Sequence, residues 1–222
     1  MKLLLVGFGR MGKLVEELAR DAGHEIAGRI ISTTAASDWP QADVAIDFST
    51  ADAVRSNLPR LAERGTNVVV GTTGWKSHEA EMRAVIARTK TGVVASAIFS
   101  IGVNLFQMMV AEAARLMQDH PDYGAWIHEL HHAAKKDAPS GTALLMRDAM
   151  IAAGFSRAID VSSTRAGSIP GTHTLGFDGP SDTIELTHRA RDRRGFAKGA
   201  LVAAEWIQGR SGWYSMEDVL KR

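Results

Sequence analysis

Within ten residues stand His128, Glu129, His131, His132, Lys135, Lys136 and Asp137, followed by Ala138-Pro139-Ser140-Gly141-Thr142 and a helical pattern. Three histidines and a glutamate first suggest a metal. His131 and His132 are adjacent, however, whereas the ligands of a His-Glu-x-x-His helix lie one turn apart. No metal is expected on that ground. Lysines and histidines also gather where a dianion, or negative charge developing during a reaction, must be met. Ser140-Gly141-Thr142 at a helix start adds N–H groups and hydroxyls suited to a carboxylate. The other reading of these residues is a solvated loop with a helix cap.

A second group lies at the N-terminus. Gly7-x-Gly9-x-x-Gly12 follows an apolar run and opens a helical pattern. In a dinucleotide site the first glycine makes the tight turn, the second lets the backbone approach a pyrophosphate, and the third lets helix and strand pack closely. An acidic residue that would hold the adenosine ribose is expected about 20 residues further on. Ile31, Ser32, Thr33 and Thr34 stand there instead. Without a carboxylate a 2′-phosphate is not repelled, and Ser32 to Thr34, Arg10 and Arg29 can accept one. The cofactor expected is NADPH or NADH, leaning to NADPH.

The elements that must position these groups read as follows. Strands are expected over 2–6, 25–31, 44–48, 67–70 and 92–96, with helices over 11–22, 51–64 and 77–89 between them. The first strand is apolar throughout, which implies burial on both faces of a parallel sheet. Beyond residue 98 the alternation ends. Helices over 103–118 and 143–153, a strand over 126–130 and antiparallel strands within 159–190 are expected. The fold class is α/β: an N-terminal Rossmann-like doubly wound parallel sheet plus a C-terminal α+β substrate and oligomerisation domain. The domains are 1–98, completed by a C-terminal helix within 197–222, and 99–196. Trp126, Trp206, Met108, Met109 and Met117 are read as core. His173 and His188 are read as packed or at a subunit contact. Arg189, Arg191, Arg193 and Arg194 form a basic cluster that either is solvated or meets a phosphate or carboxylate.

Composition excludes several classes. The chain has 222 residues, 45% hydrophobic and 23% charged, which is ordinary globular usage. Lys plus Arg is 26 against 25 for Asp plus Glu, so no nucleic acid or anionic membrane is expected as partner. Cys is 0, which excludes disulfides and thiolate chemistry. No apolar run reaches the roughly 18 residues of a membrane span, and a cytoplasmic location is expected.

The run Glu129-Leu130-His131-His132-Ala133-Ala134-Lys135-Lys136-Asp137-Ala138-Pro139-Ser140-Gly141-Thr142-Ala143 resembles the signature E-x-H-H-x-x-K-x-D-A-P-S-G-T-A of the 4-hydroxy-tetrahydrodipicolinate reductase (dihydrodipicolinate reductase) family. Gly9-Arg10-Met11-Gly12, Asp47-Phe48-Ser49, Gly71-Thr72-Thr73-Gly74 and Phe99-Ser100-Ile101-Gly102-Val103-Asn104 are similar to the family's phosphate turn, strand end, G-T-T-G loop and hinge. Arg165-Ala166-Gly167, Ile184 to Ala190 and Phe196-Ala197-Lys198-Gly199-Ala200 resemble its sheet and last helix.

The resemblance implies reduction of a cyclic unsaturated imine dicarboxylate by hydride from NADH or NADPH, in the diaminopimelate route to lysine. It implies His131 as general acid or proton relay and Lys135 as charge stabiliser and proton source. It implies His132, Ser140, Gly141 and Thr142 as the grip on a substrate carboxylate. Gly7, Phe8, Gly9, Arg10, Met11, Gly12, Ser32, Phe48, Gly71, Thr72, Thr73, Ser96 and Phe99 would meet the cofactor. A homo-oligomer, a tetramer through the sheet, is also implied. The chain departs from the family in the short stretch 32–43, in the missing ribose carboxylate, and in Ile98 where the family usually has Asn. The rival expectations are a same-fold NAD(P)H reductase for another substrate and a non-catalytic dinucleotide sensor.

Overall fold

The computed structural model describes residues 1–221. The chain divides into two compact units, Met1–Ile101 with Arg193–Arg222, and Gly102–Asp192. The expected divisions stood at 98/99 and 196/197. The first unit opens with β1 (Lys2–Val6), α1 (Arg10–Asp21), β2 (Glu25–Ile30), β3 (Val44–Asp47), α2 (Ala51–Glu63), β4 (Asn67–Val70), α3 (Glu79–Thr89) and β5 (Gly92–Ala95). Leu3 to Val6, Val44 to Asp47 and Val68 to Val70 are buried, so these strands are covered on both faces. Both ends of α2 have a local cause. Thr50 caps α2 by accepting from the Ala53 N–H at 3.3 Å, and Gly65 leaves that helix at φ +75°.

The second unit holds α4 (Ile101–Met117), β6 (Gly124–His131), α5 (Gly141–Ala152), β7 (Ile159–Arg165), β8 (Thr172–Asp178) and β9 (Thr183–Arg189). Its sheet runs β7-β6-β8-β9. The β6–β8 and β8–β9 pairs are antiparallel, but β7 lies parallel to β6, which corrects the antiparallel expectation for 159–165. The α5 crossover is the reason: a strand–helix–strand connection returns the chain in the same direction.

The chain then re-enters the first unit with α6 (Arg194–Trp206), β10 (Gly212–Tyr214) and α7 (Met216–Leu220). No single helix fills 197–222. Gly209 turns the chain at φ +71°, β10 adds to the edge of β5, and a Ser215–Asp218 capping box starts α7. The completed sheet is parallel, in the order β10-β5-β4-β3-β1-β2. Its order reverses between β1 and β3, so a crevice opens beyond their carboxyl ends.

Three core expectations change. Met108 and Met109 are 36% and 54% exposed. The buried stripe of α4 is Val103, Phe106, Val110 and Ala114, and these methionines lie outside its phase. Trp126 is half-buried because Ala125, Ile127 and Glu129 take the covered face of β6, and alternation sends Trp126 to the other. Trp206 is half-buried but packs against the core as expected, edge-on to Tyr214 at 5.0 Å.

Candidate active site

In the first unit the three glycines of the turn differ in what surrounds them. Gly7 has φ +82°, and a Cβ there would meet the Phe48 carbonyl oxygen at 2.4 Å. A Cβ on Gly12 would stand 2.3 Å from the Gly7 carbonyl oxygen, so α1 packs directly on the turn. A Cβ on Gly9 meets nothing within 4 Å. The turn is thus closed on two sides and open on the third, at the start of α1. Gly9, Arg10, Met11, Phe48, Gly71, Thr72, Thr73 and Arg193 line one pocket of about 340 Å³ there. Arg193 is the member of the basic cluster that reaches this pocket.

A buried carboxylate organises the loops around that pocket. Asp47, at the end of β3, accepts from the Ser49 N–H at 2.9 Å, the Ser49 hydroxyl at 2.6 Å and the Thr72 hydroxyl at 2.8 Å. Burial pushes its pKa up, against these three donors. The loops after β3 and β4 are therefore tied to one group, which the sequence showed only as a strand-end motif. The Phe48 ring sits where a Cβ on Gly71 would stand 2.1 Å from it.

Several expected cofactor contacts are placed otherwise. The Phe99 side chain is 1% exposed and packs edge-on to Phe48 at 6.2 Å, which makes it a core residue. Thr72 is buried with its hydroxyl on Asp47. The Ser96 hydroxyl closes a turn on the Ile98 backbone, at 2.8 Å to the carbonyl and 3.1 Å to the N–H. Phe8 lies under the Arg29 guanidinium, 4.7 Å from ring centre to Cζ. Arg29 is itself held by Glu16 at 2.8 and 2.6 Å, so it is not free for a phosphate. Arg29 and Arg20 hold the Glu16 carboxyl at about 2 against its burial. Ser32 and Thr33 are exposed just past β2, and Thr34 caps the turn by accepting from the Ile31 N–H at 3.1 Å.

In the second unit the decisive group is Glu129. Strand register places Ser163, Glu129, His173 and His188 in one row across the sheet. The Glu129 side chain is fully buried, and Arg165 grips it at both oxygens, 2.9 and 2.6 Å. It also accepts from the Ser140 N–H at 3.1 Å and pairs with His131 Nδ1. Burial pushes its pKa up, yet Arg165, Ser163, His131 and the Ser140 N–H outweigh burial and hold it at about 2. Next to it the His131 and His173 rings meet edge to face at 5.2 Å. Burial, together with the charge of His131, pushes His173 down to about 4, so it is neutral near pH 7. Its Nε2 bonds the Ser140 hydroxyl at 3.0 Å, and its Nδ1 is buried without a partner.

Ser140 itself is 2% exposed. Its hydroxyl accepts from the Ala143 N–H at 3.2 Å and so caps α5. At the start of that helix Gly141 is exposed and Thr142 half-buried, and His132 is exposed beyond β6. Lys135 is partly buried and bonds both oxygens of Asp137 at 2.7 and 2.9 Å, which lowers the Asp137 pKa. Arg165 also donates to the Asp137 carbonyl at 2.6 Å, tying this loop to the sheet. Glu129, His131 and His173 bring ligand-type atoms within 4.8 Å of one another, but Arg165 already neutralises the carboxylate. Sequence reasoning placed Glu129 in the motif without a role, and it left Arg165 and His173 to the sheet. No short-range pattern links residues 129, 165 and 173; strand pairing does.

The arrangement supplies a positioned imidazole, a lysine and a helix N-terminus. The N-terminal family model of dihydrodipicolinate reductase matches residues 1–99, and the C-terminal one matches residues 102–220. The chain belongs to the dihydrodipicolinate reductase family. Among relatives, the 4-hydroxy-tetrahydrodipicolinate reductase of Christiangramia forsetii is 35% identical over 234 residues, covering 99% of this chain and 98% of that protein. That of Methanosarcina mazei is 42% identical over 196 residues, covering 81% and 73%. The fold of the dihydrodipicolinate reductase family is seen in the dipicolinate-bound enzyme from Paenisporosarcina sp. TG-14, which is 19% identical, with TM-score 0.83 over 99% of both chains. An amine dehydrogenase from Mycobacterium smegmatis shares the architecture at TM-score 0.68 and 12% identity, covering 100% of this chain and 96% of that one. No helix among the described residues is long and apolar enough to cross a membrane.

Proposed function

We infer that this chain is a 4-hydroxy-tetrahydrodipicolinate reductase, an oxidoreductase of the diaminopimelate route to lysine. It reduces the cyclic imine derived from 4-hydroxy-tetrahydrodipicolinate to tetrahydrodipicolinate. The observation that carries the reading is the His131–Glu129–Arg165 cluster, built beside the exposed N-terminus of α5 with Lys135 in the intervening loop. A nicotinamide dinucleotide fits the first unit, because a cradle open only at Gly9 faces the start of α1. When bound, it supplies the hydride. Gly7, Gly9, Arg10, Met11 and Gly12 would hold its pyrophosphate, with Arg193 adding charge to the same pocket.

In the second unit Thr142 and the first-turn N–H groups of α5 receive a substrate carboxylate, and His132 adds a donor. His131 delivers the proton that must follow hydride addition to a C=N-conjugated ring. Lys135, released from Asp137, stabilises the electron density that moves through the ring. We propose NADPH as the favoured cofactor, since Ser32 and Thr33 offer hydroxyls where a carboxylate would repel a 2′-phosphate. A homotetramer is proposed on the family resemblance, and sedimentation velocity measures it. The test of function is NADPH oxidation with freshly formed pathway imine, with pyridine-2,6-dicarboxylate as a flat competitor. Turnover with competitive inhibition is expected. Turnover only on an unrelated carbonyl or imine, with no inhibition, would favour a same-fold reductase for another substrate.

A further inference from the structure

We propose that Glu129 is a positioning residue that sets two parts of the site at once, the ring of His131 and the start of α5. The inference rests on the roles proposed above for His131, Lys135 and Thr142. The division of labour is visible in the two carboxylate oxygens. Oε2 pairs with His131 Nδ1 and accepts from Arg165 Nη1 at 2.9 Å. Oε1 accepts from the Ser140 N–H at 3.1 Å and from Arg165 Nη2 at 2.6 Å. A two-point guanidinium grip fixes the plane of the carboxylate, so the direction from Oε2 to the ring and from Oε1 to the helix is fixed with it.

The chemistry follows from what an ionised carboxylate can do. It only accepts, so the neutral His131 ring must carry its hydrogen on Nδ1. Nε2 is left as the nitrogen that gains and gives up a proton. That side of the ring lies against Gly171, where a Cβ would stand 2.9 Å from Nε2, so a side chain at this position would crowd the atom. The charged or titratable groups around His131 are Glu129 on its own strand, Arg165 on β7, His173 on β8 and Lys135 in the following loop. Two of them are fixed cations. The carboxylate is the anion paired with the ring, and it holds the ring in place through Nδ1. His173 stays neutral and adds no positive charge at 5.2 Å. Arg165 neutralises the carboxylate and also donates to the Asp137 carbonyl at 2.6 Å, so its removal frees Glu129 and loosens the Lys135 loop, and the single Glu129→Gln variant separates the two effects.

The experiment compares Glu129→Gln, the double variant Glu129→Gln/Arg165→Met, His131→Gln and Lys135→Ala. The double variant removes both buried charges together, so it folds even where an uncompensated Arg165 unfolds the single variant. The readouts are kcat against pH, dinucleotide affinity, and the 15N shifts of the His131 ring, assigned by their loss in His131→Gln. Both Glu129 variants are expected to lose kcat by about 10²-fold, the scale of a misplaced catalytic group. Their dependence of kcat on pH is expected to differ from wild type and the His131 ring to sit in mixed tautomers, with dinucleotide affinity unchanged. A double variant with wild-type kcat, wild-type pH profile and a single Nδ1–H tautomer would overturn the inference. If kcat survives in His131→Gln and Lys135→Ala, the proposed chemistry itself fails. If it collapses there and persists in both Glu129 variants, only the positioning role fails.

Discussion

His131 and Lys135 sit in one unit and the phosphate turn in the other, and their substitutions are expected to separate accordingly. His131→Gln and Lys135→Ala should each lower kcat by roughly 10²–10⁴-fold, the usual worth of acid–base help, with dinucleotide affinity unchanged. Thr142→Val should chiefly raise KM, because it removes a carboxylate contact already made in the ground state. Steady-state kinetics on the three variants checks this, and near-wild-type turnover in Lys135→Ala would reduce the segment to a loop. Ser32→Asp tests the cofactor end. A carboxylate just past β2 should repel a 2′-phosphate and move the ratio of specificity constants towards NADH. Arg29 is fixed on Glu16, so Arg10 and Arg193 are the bases at the turn's pocket that oppose that shift.

At the scale of elements, the turn between β1 and α1 shows why three glycines are not equivalent. Gly9→Val projects into open space, so it should abolish dinucleotide binding in a folded protein. Gly12→Val drives a branched side chain into the Gly7 carbonyl at 2.3 Å, and backbone cannot move aside cheaply. That variant should be unfolded or strongly destabilised, beyond the roughly 1–3 kcal/mol of ordinary overpacking. Thermal melts beside fluorescence titration with NADPH distinguish the two. A stable Gly12→Val protein, or a Gly9→Val protein with full affinity, would contradict this division. The same logic holds at α6, where a Cβ on Gly199 would meet the Phe99 carbonyl oxygen at 1.7 Å.

For the whole molecule, groups with shifted pKa values set the response to acid, His173 and Glu129 among them. His173 is held at about 4, below its ordinary 6.5, so the unfolded chain binds its proton first. Stability is therefore flat above pH 6.5 and falls as pH drops towards 4, by about 3 kcal/mol over the full window. Glu129 is held at about 2. Its contribution is complete above the ordinary carboxylate range near 4.5 and is lost as pH falls towards 2. Glu16, with Arg29 and Arg20, titrates in the same lower window. Urea unfolding between pH 3 and 8 should show two successive declines, and His173→Phe should shrink the upper one to the part carried by His188, which burial also pushes down, and leave the lower one in place. A variant with an unchanged upper decline would show that His173 does not carry it.

The sequence by itself determined the parts with short-range causes. Continuous burial marked β1, a glycine turn of fixed spacing marked its exit, and the run from Glu129 to Thr142 marked the reactive segment and its family. Periodicity could not choose the phase of α4, because Leu105, Met108, Met109 and Leu116 are apolar on the exposed side as well. It also missed β10, three residues whose only claim to be a strand is the edge of β5 beside them. Tertiary structure alone decided which polar groups meet. Glu129 lies 36 residues from Arg165 and 44 from His173, and only the register of β7, β6 and β8 brings them together. Burial then made that pairing obligatory, since a carboxylate removed from water must find its donors inside the fold.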